Sequence, residues 1–305
     1  MAYHNANLVS LRLDYCGQLG DESIKVWTSA LPALTRLELL GPFLVRASAW
    51  QDFFVAHPNL EGFLITQSPR FDIECMKSLV THCPGIRELR LSLVGLLADD
   101  FLLEIAKLRR GLWSLDLSDP SESCSETAMI NLISAIGKSL THLWLSKHHL
   151  LTDDFLTRGL RRCTRRLESL TLSHLPELTD EGVAQFFDGW KNAPLLAVDL
   201  SGNANLASAA LQGILWHSGR ALEQLNINGW KDVGSEELVE IGRTGGGVRK
   251  LDVSWCRAVD DFVVKGWLEG DNGDGGCKHL EEVKVWGCNK VSAGSCRKVS
   301  VYDVP

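Results

Sequence analysis

Between Leu167 and Val183 the chain reads LESLTLSHLPELTDEGV, with leucines at the spacing L-x-x-L-x-L-x-x-L followed by Thr-Asp-Glu-Gly. The alternating part has the two-residue period of a strand with one face in a core, and the segment after Thr179 carries apolar residues at helical spacing. Segments of the form L-x-x-L-x-L, with Val, Ile or Phe replacing some leucines, begin at Leu8, Leu34, Leu60, Ile86, Leu112, Leu140, Leu167, Leu195, Leu222, Val248 and Leu280. The intervals are 26, 26, 26, 26, 28, 27, 28, 27, 26 and 32 residues. One apolar hexapeptide specifies little; eleven at a near-constant interval specify a repeat. In each unit a short strand precedes a helix, as in TDDFLTRGLRRC and TDEGVAQFFDGW, where Thr152 and Thr179 stand at the N-cap position with Asp153, Asp154, Asp180 and Glu181 in the first turn.

A single unit cannot bury its leucines, so neighbours must stack. Parallel strands stack about 4.8 Å apart and helices about 8–10 Å apart, so the stack bends with strands inside. The expected fold is an α/β leucine-rich-repeat solenoid, a horseshoe of about 11 repeats of about 26 residues with parallel strands concave and helices convex, formed by residues 1–305 as one domain. Eight residues after the first leucine stand Cys16, Asn203, Cys256 and Cys288, the mark of the cysteine-containing repeat class. These side chains read as buried groups satisfying loop backbone, as do Cys83 and Cys163 at helix ends. The long interval holds EGDNGDGGC, residues 269–277, read as a flexible insert, because it lacks the spacing and final Glu of a calcium loop. Residues 289–305 read as a C-terminal cap with a closing strand near CRKVSVYDVP. Leu8 begins the first strand with no polar cap before it, so an N-terminal part of the full protein is expected to be missing.

Composition narrows the class. Apolar residues at 45% and charged residues at 23% are those of a folded protein, and no run approaches the length of a membrane span. Nine cysteines, none in C-x-x-C, favour reduced thiols over a disulfide framework or zinc ribbon. A formal charge of −7 argues against general coating of nucleic acid but allows a local basic patch.

The residue patterns do not point to catalysis. No H-E-x-x-H, G-x-x-x-x-G-K-[ST] or G-x-S-x-G occurs. RTGGGVRK (243–250) lies between a helix and a strand, the wrong context for a phosphate loop, and the pair His148–His149 reads as solvated rather than metal-binding. No catalytic residue, cofactor or metal is expected. Binding surfaces are: strand residues between the leucines face the concave side, giving Arg12, Glu38, Leu64, Arg90, Asp116, Trp144, Thr171, Asp199, Asn226, Asp252 and Lys284, and two positions on a row mostly of serines ending in Trp286. Trp144, Trp255 and Trp286 are the candidate partner anchors, with Arg12, Arg90, Asp116, Asp199, Asp252 and Lys284 around them. Acidic residues at helix starts and basic residues at helix ends, Arg109, Arg110 and Arg243 among them, complement helix dipoles. RGLRRCTRR exceeds that need, making Arg158, Arg161, Arg162, Arg165 and Arg166 a candidate DNA contact.

The cysteine-type repeats with L-T-D turns resemble F-box leucine-rich proteins, and LELLGPFLVRASAWQDFF (37–54) and CKHLEEVKVWGCNKVSAGSCRKVSVYDV (277–304) resemble the Rad-seven family, the leucine-rich subunit of fungal global-genome nucleotide excision repair. This resemblance implies a nuclear subunit acting in DNA-damage recognition beside a Swi/Snf-type ATPase and linked to a cullin and elongin-C ubiquitin ligase; the residues themselves favour a non-catalytic binding protein with weak contact to damaged DNA through the arginine cluster and no membrane. The alternative within binding proteins is an F-box-type substrate receptor of a cullin ligase, whose F-box would lie upstream.

Overall fold

The computed structural model describes residues 5–95, 97–108, 111–120, 124–269, 276–292 and 300–302. Most of the expected insert, most of the expected cap, and Arg109 and Arg110 lie outside the described residues. The chain forms two compact units, residues 1–150 and 151–305.

In the first unit the strands and helices alternate: β1 (Ser10–Leu13), α1 (Asp21–Ala30), β2 (Arg36–Leu40), α2 (Ala47–Ala56), β3 (Gly62–Thr66), α3 (Ile73–His82), β4 (Glu88–Ser92), α4 (Asp99–Ile105), β5 (Ser114–Asp116), α5 (Glu126–Ile136) and β6 (His142–Trp144). Each strand is parallel to the next and shifted by one repeat, so Leu37, Phe63, Leu89, Leu115 and Leu143 lie side by side. All five are fully or almost fully buried. The second unit opens with a π-helical segment, Phe155–Leu160, that runs into α6 (Arg161–Cys163). It continues through β7 (Ser169–Thr171), α7 (Asp180–Gly189), β8 (Ala197–Asp199), α8 (Ser208–Ser218), β9 (Gln224–Asn226), α9 (Ser235–Thr244), β10 (Lys250–Asp252), α10 (Asp261–Glu269), β11 (Glu282–Lys284) and β12 (Ser300–Tyr302). Its strands are likewise parallel and in register, with β12 beside β11. Strand spacing shorter than helix spacing bends each unit with its sheet inside.

Strands β1 to β11 end in the same way. Seven residues after the first leucine of each motif the backbone turns left-handed, at Tyr15, Gly41, Gln67, Leu93, Asp119, Lys147, His174, Gly202, Gly229, Trp255 and Gly287. The turn throws the chain out of the sheet toward its helix. Only four of these eleven residues are glycine, so the packed stack imposes a conformation that L-residues disfavour.

The next position fills the space this turn opens. Asn203 donates from Nδ2 to the carbonyls of Leu172 and Leu200 at 2.8 and 2.7 Å and accepts from the Leu175 amide at 2.6 Å. Cys256 and Cys288 direct their thiols to the Ile227 and Val253 carbonyls, and Cys16 to that of Leu13. Cys83 serves the carbonyls of Phe54 and His57 at a helix end. The reading of Cys16, Cys83, Asn203, Cys256 and Cys288 as backbone-satisfying is what the geometry gives, whereas Cys163, read the same way, is only half-buried. The reading of His148 as solvated is overturned: it occupies the same position as Asn203, is 1% exposed, and holds the Leu117 carbonyl through Nε2 at 2.8 Å. Only His149 is exposed. At His148, Asn203, Cys256 and Cys288 a carbonyl of the preceding repeat, left without a ladder partner where the chain turns away, is met by this side-chain donor.

Candidate functional site

The inner sheet face of the first unit presents Arg12, Glu38, Leu64, Arg90, Asp116 and Trp144 in one register row. Its charges are largely committed to one another. The Glu38 carboxylate receives Arg36 at 2.8 Å and Arg90 at 3.2 Å, with Arg12 at 3.8 Å. Arg90 reaches Asp116 at 3.0 Å with its Nε, and Arg36 reaches Glu88 at 3.3 Å. Two of these pairs, Glu38–Arg90 and Arg36–Glu88, join β2 to β4 across β3. They can do so because β3 offers Leu64 and Gly62 there; a Cβ at Gly62 would meet the Arg36 side chain at 2.8 Å. Leu64, expected on the open face, is buried beneath the bridges. Half-exposed pairs of this kind contribute about 0.2–1 kcal/mol each, and the lattice fixes the pattern of charge that a partner meets.

Trp144 ends the row half-buried. His142 stacks on it at 5.6 Å and 26°, and Trp113 and His142 meet edge to face at 5.6 Å and 73°. The Thr141 hydroxyl lies 2.8 Å from His142 Nδ1. The result is a shelf of three rings beside the charge lattice. Trp113 and His142 were missed in the sequence because neither occupies the row that the alternation marks as central.

In the second unit the row is Thr171, Asp199, Asn226, Asp252 and Lys284. Its acids close turns: Asp199 Oδ1 accepts the Ser201 amide at 2.9 Å and Asp252 Oδ1 that of Ser254 at 3.0 Å, as Asp116 does for Ser118 in the first unit. Asp199 also takes Asn226 Nδ2 at 3.0 Å, and Lys284 lies 3.3 Å from Glu282. The serine row is mostly tucked in, with Ser173 and Ser254 buried here and Ser92 and Ser118 buried in the first unit. Trp255 is 56% exposed at a left-handed turn, its indole laid over Gly287, where a Cβ would come within 2.5 Å of the ring. Trp286 is 36% exposed and its amide donates to the Ser254 hydroxyl at 3.1 Å.

The arginine cluster surrounds the π-helical turn. Arg158 pairs with Asp154 at 3.3 Å. Arg161 lies across Gly189 and donates to the Gln185 carbonyl at 3.4 Å. Arg165 caps its own helix end through the carbonyls of Arg161 and Thr164 at 2.9 and 2.6 Å. Arg162 and Arg166 are exposed, with no partner among the described residues. The acidic row does more than complement dipoles: Asp153 receives the Thr179 amide and hydroxyl at 3.1 and 2.7 Å, and Asp180 the amides of Ala207, Ala209 and Ala210. Thr179 caps α7 by accepting the Gly182 amide at 3.0 Å. These two helix starts thus tie down the ones that follow them.

Among the described residues no three His, Cys, Asp or Glu side chains gather as a metal site, and no helix is long and apolar enough to cross a membrane. Burial pushes the thiols of Cys75, Cys83, Cys124, Cys256 and Cys277 up to about 12, so they stay protonated and unreactive near neutrality.

No protein-family model matches the sequence. Its relatives include DNA repair protein rhp7 of Schizosaccharomyces pombe, 31% identical over 300 residues that cover 97% of this chain and 52% of rhp7. DNA repair protein RAD7 of Saccharomyces cerevisiae is 29% identical over 275 residues, 87% of this chain and 48% of RAD7. The chain therefore spans about half the length of the curated relatives it matches. Among solved structures, that of the yeast Rad7 and Elc1 complex matches with a TM-score of 0.85 at 27% identity, covering 99% of this chain and 75% of that one. The likeness first seen in residues 37–54 and 277–304 extends over nearly the whole sequence, and the chain is a leucine-rich-repeat homologue of the Rad-seven DNA repair proteins.

Proposed function

We propose that this chain is a non-catalytic, protein-binding part of a nuclear assembly that recognises damaged DNA for nucleotide excision repair and carries ubiquitin-ligase activity. The observation that carries the proposal is the alignment with rhp7 along 97% of the chain, supported by the match to Rad7 as it occurs with Elc1. An elongin-C-type ligase subunit and a Swi/Snf-type ATPase are the partners this reading implies. The inner sheet face of the first unit suits such a role: a fixed charge lattice around Glu38 gives orientation, and the Trp113–His142–Trp144 shelf gives apolar area. Trp144, Trp255 and Trp286 act as anchors, and Arg162 and Arg166 supply whatever direct DNA contact the chain makes.

The test uses the full-length protein purified with the elongin-C-type subunit and the repair ATPase of the same organism. Removing a hot-spot aromatic costs about 2 kcal/mol or more of binding, roughly thirty-fold in affinity. Trp144→Ala, with its melting temperature unchanged, is expected to weaken ATPase binding to that extent. Undiminished binding by Trp144→Ala and Trp286→Ala together would move the partner to another surface, and failure to bind either protein would remove the proposal.

A further inference from the structure

The second unit carries an apolar feature away from its sheet face. Helix α8 buries Ala210, Leu211, Ile214, Leu215 and Ser218 and turns Gln212 and Trp216 outward, four residues apart on one stripe. Gln212 is tied by its amide to Glu237 at 3.0 Å, whereas Trp216 is 83% exposed, more than either Trp255 or Trp286. Beside it a groove of about 640 Å³ runs between the end of α8 and α9, lined by Pro194, Leu215, His217, Arg220 and Glu240 along with the indole itself.

The groove is preformed. His217 stacks on Trp190 at 5.2 Å and 18°, and its Nδ1 lies 2.6 Å from the Ser218 hydroxyl, which in turn accepts the Leu195 amide at 2.9 Å. These contacts hold one wall without any ligand, so occupancy orders little. Its charges are unequally engaged. Glu240 is paired with Arg243 at 3.2 Å, while the Arg220 side chain has no partner among the described residues. The uncommitted charge is therefore a single cation one helical turn beyond an exposed indole. Tryptophan and arginine are the side chains that concentrate binding energy at protein interfaces.

We infer that this groove docks a short acidic segment of a protein partner, which buries an aliphatic or aromatic side chain against Trp216 and sets a carboxylate on Arg220. The formal charge of −7 does not forbid this occupant. At physiological ionic strength charges are screened beyond about 8 Å, so Arg220 governs its own surroundings. The surface is independent of the sheet-face proposal, and either can fail alone.

The experiment pans a random dodecapeptide phage library on the immobilised chain and measures the enriched peptides, made synthetically, by fluorescence anisotropy. Wild-type protein is expected to enrich peptides with an apolar residue within four positions of Asp or Glu. Trp216→Ala weakens their binding at least ten-fold, and Arg220→Glu enriches Lys or Arg in place of the acids. Both side chains are exposed, so both variants keep the wild-type melting temperature. No enrichment, or peptides that bind wild type and both variants alike, would overturn the proposal. Self-association of the chain abolished by Trp216→Ala would assign the groove to a second copy and overturn it equally.

Discussion

At the residue scale the left-handed turn and the donor beside it decide how repeats join. Gly202 and Gly229 both sit at positive φ, but a Cβ at Gly202 would lie 2.3 Å from the His174 imidazole, whereas at Gly229 the nearest atoms are 3.7 Å away. Gly229→Ala is expected to cost about 1 kcal/mol, the usual penalty for an L-residue in that conformation. Gly202→Ala should cost clearly more, and adding His174→Ala should bring it back to the Gly229→Ala value, as read from urea unfolding. His148 gives a pH-dependent counterpart. Burial holds its pKa below the ordinary 6.5, while the unfolded chain regains that value. As pH falls through 6.5 the unfolded state takes up a proton that the folded state refuses, so stability drops by up to about 1.4 kcal/mol per pH unit for this one site. Since Asn203 makes the equivalent bond, His148→Asn should fold and lose less stability between pH 7.5 and 5.5 than wild type; an equal loss would assign the acid sensitivity elsewhere, with His217, also lowered by burial, the next candidate. The donor position could be read from Cys16, Asn203, Cys256 and Cys288, yet His148 escaped because adjacency to His149 masked its place in the repeat. The left-handed turn escaped because seven of its eleven residues are not glycine.

At the element scale the alternation of Leu170, Leu172 and their equivalents specified each strand, since burial of one face needs nothing beyond period two. Helix starts were equally plain at Thr179. Ties between elements were not, because they depend on register. Asp153 and Asp180 look alike in sequence, each following a threonine and preceding another acid, but Asp153 serves one exposed amide and a hydroxyl and Asp180 three half-buried amides. Desolvated donors cost more when abandoned. Asp180→Ala should therefore cost about 2 kcal/mol, the upper end for a lost cap, and Asp153→Ala less than about 1 kcal/mol; equal losses in chemical denaturation would mean that burial of these amides is immaterial. The Glu38–Arg90 bridge, between residues 52 apart in sequence, was hidden for the same reason. So was the π-helical turn at Phe155–Leu160, since one extra residue in a turn hardly disturbs the apolar spacing.

At the scale of the whole molecule the net charge of −7 sets the terms on which the chain can meet DNA. Phosphates are repelled at long range, but beyond about 8 Å that repulsion is screened at physiological salt, leaving the decision to local arginines. Of the five in the cluster, Arg158 is paired with Asp154, while Arg161 and Arg165 hold backbone carbonyls. Arg162 and Arg166 are free to meet phosphate. Each phosphate contact contributes about −0.9 to the slope of log K against log salt, so two give about −2. Binding that shallow is weak and blind to sequence; damage specificity then has to come from a partner or from distorted DNA shape. Fluorescence anisotropy with duplex DNA at low salt should show weak binding by wild type, abolished by Arg162→Glu with Arg166→Glu at unchanged melting temperature. Changing Arg161 and Arg165 to Glu should instead lower the melting temperature. A slope near −4 would mean that the paired arginines are released to the DNA, and the absence of binding at low salt would leave Arg162 and Arg166 as ordinary helix-end charges.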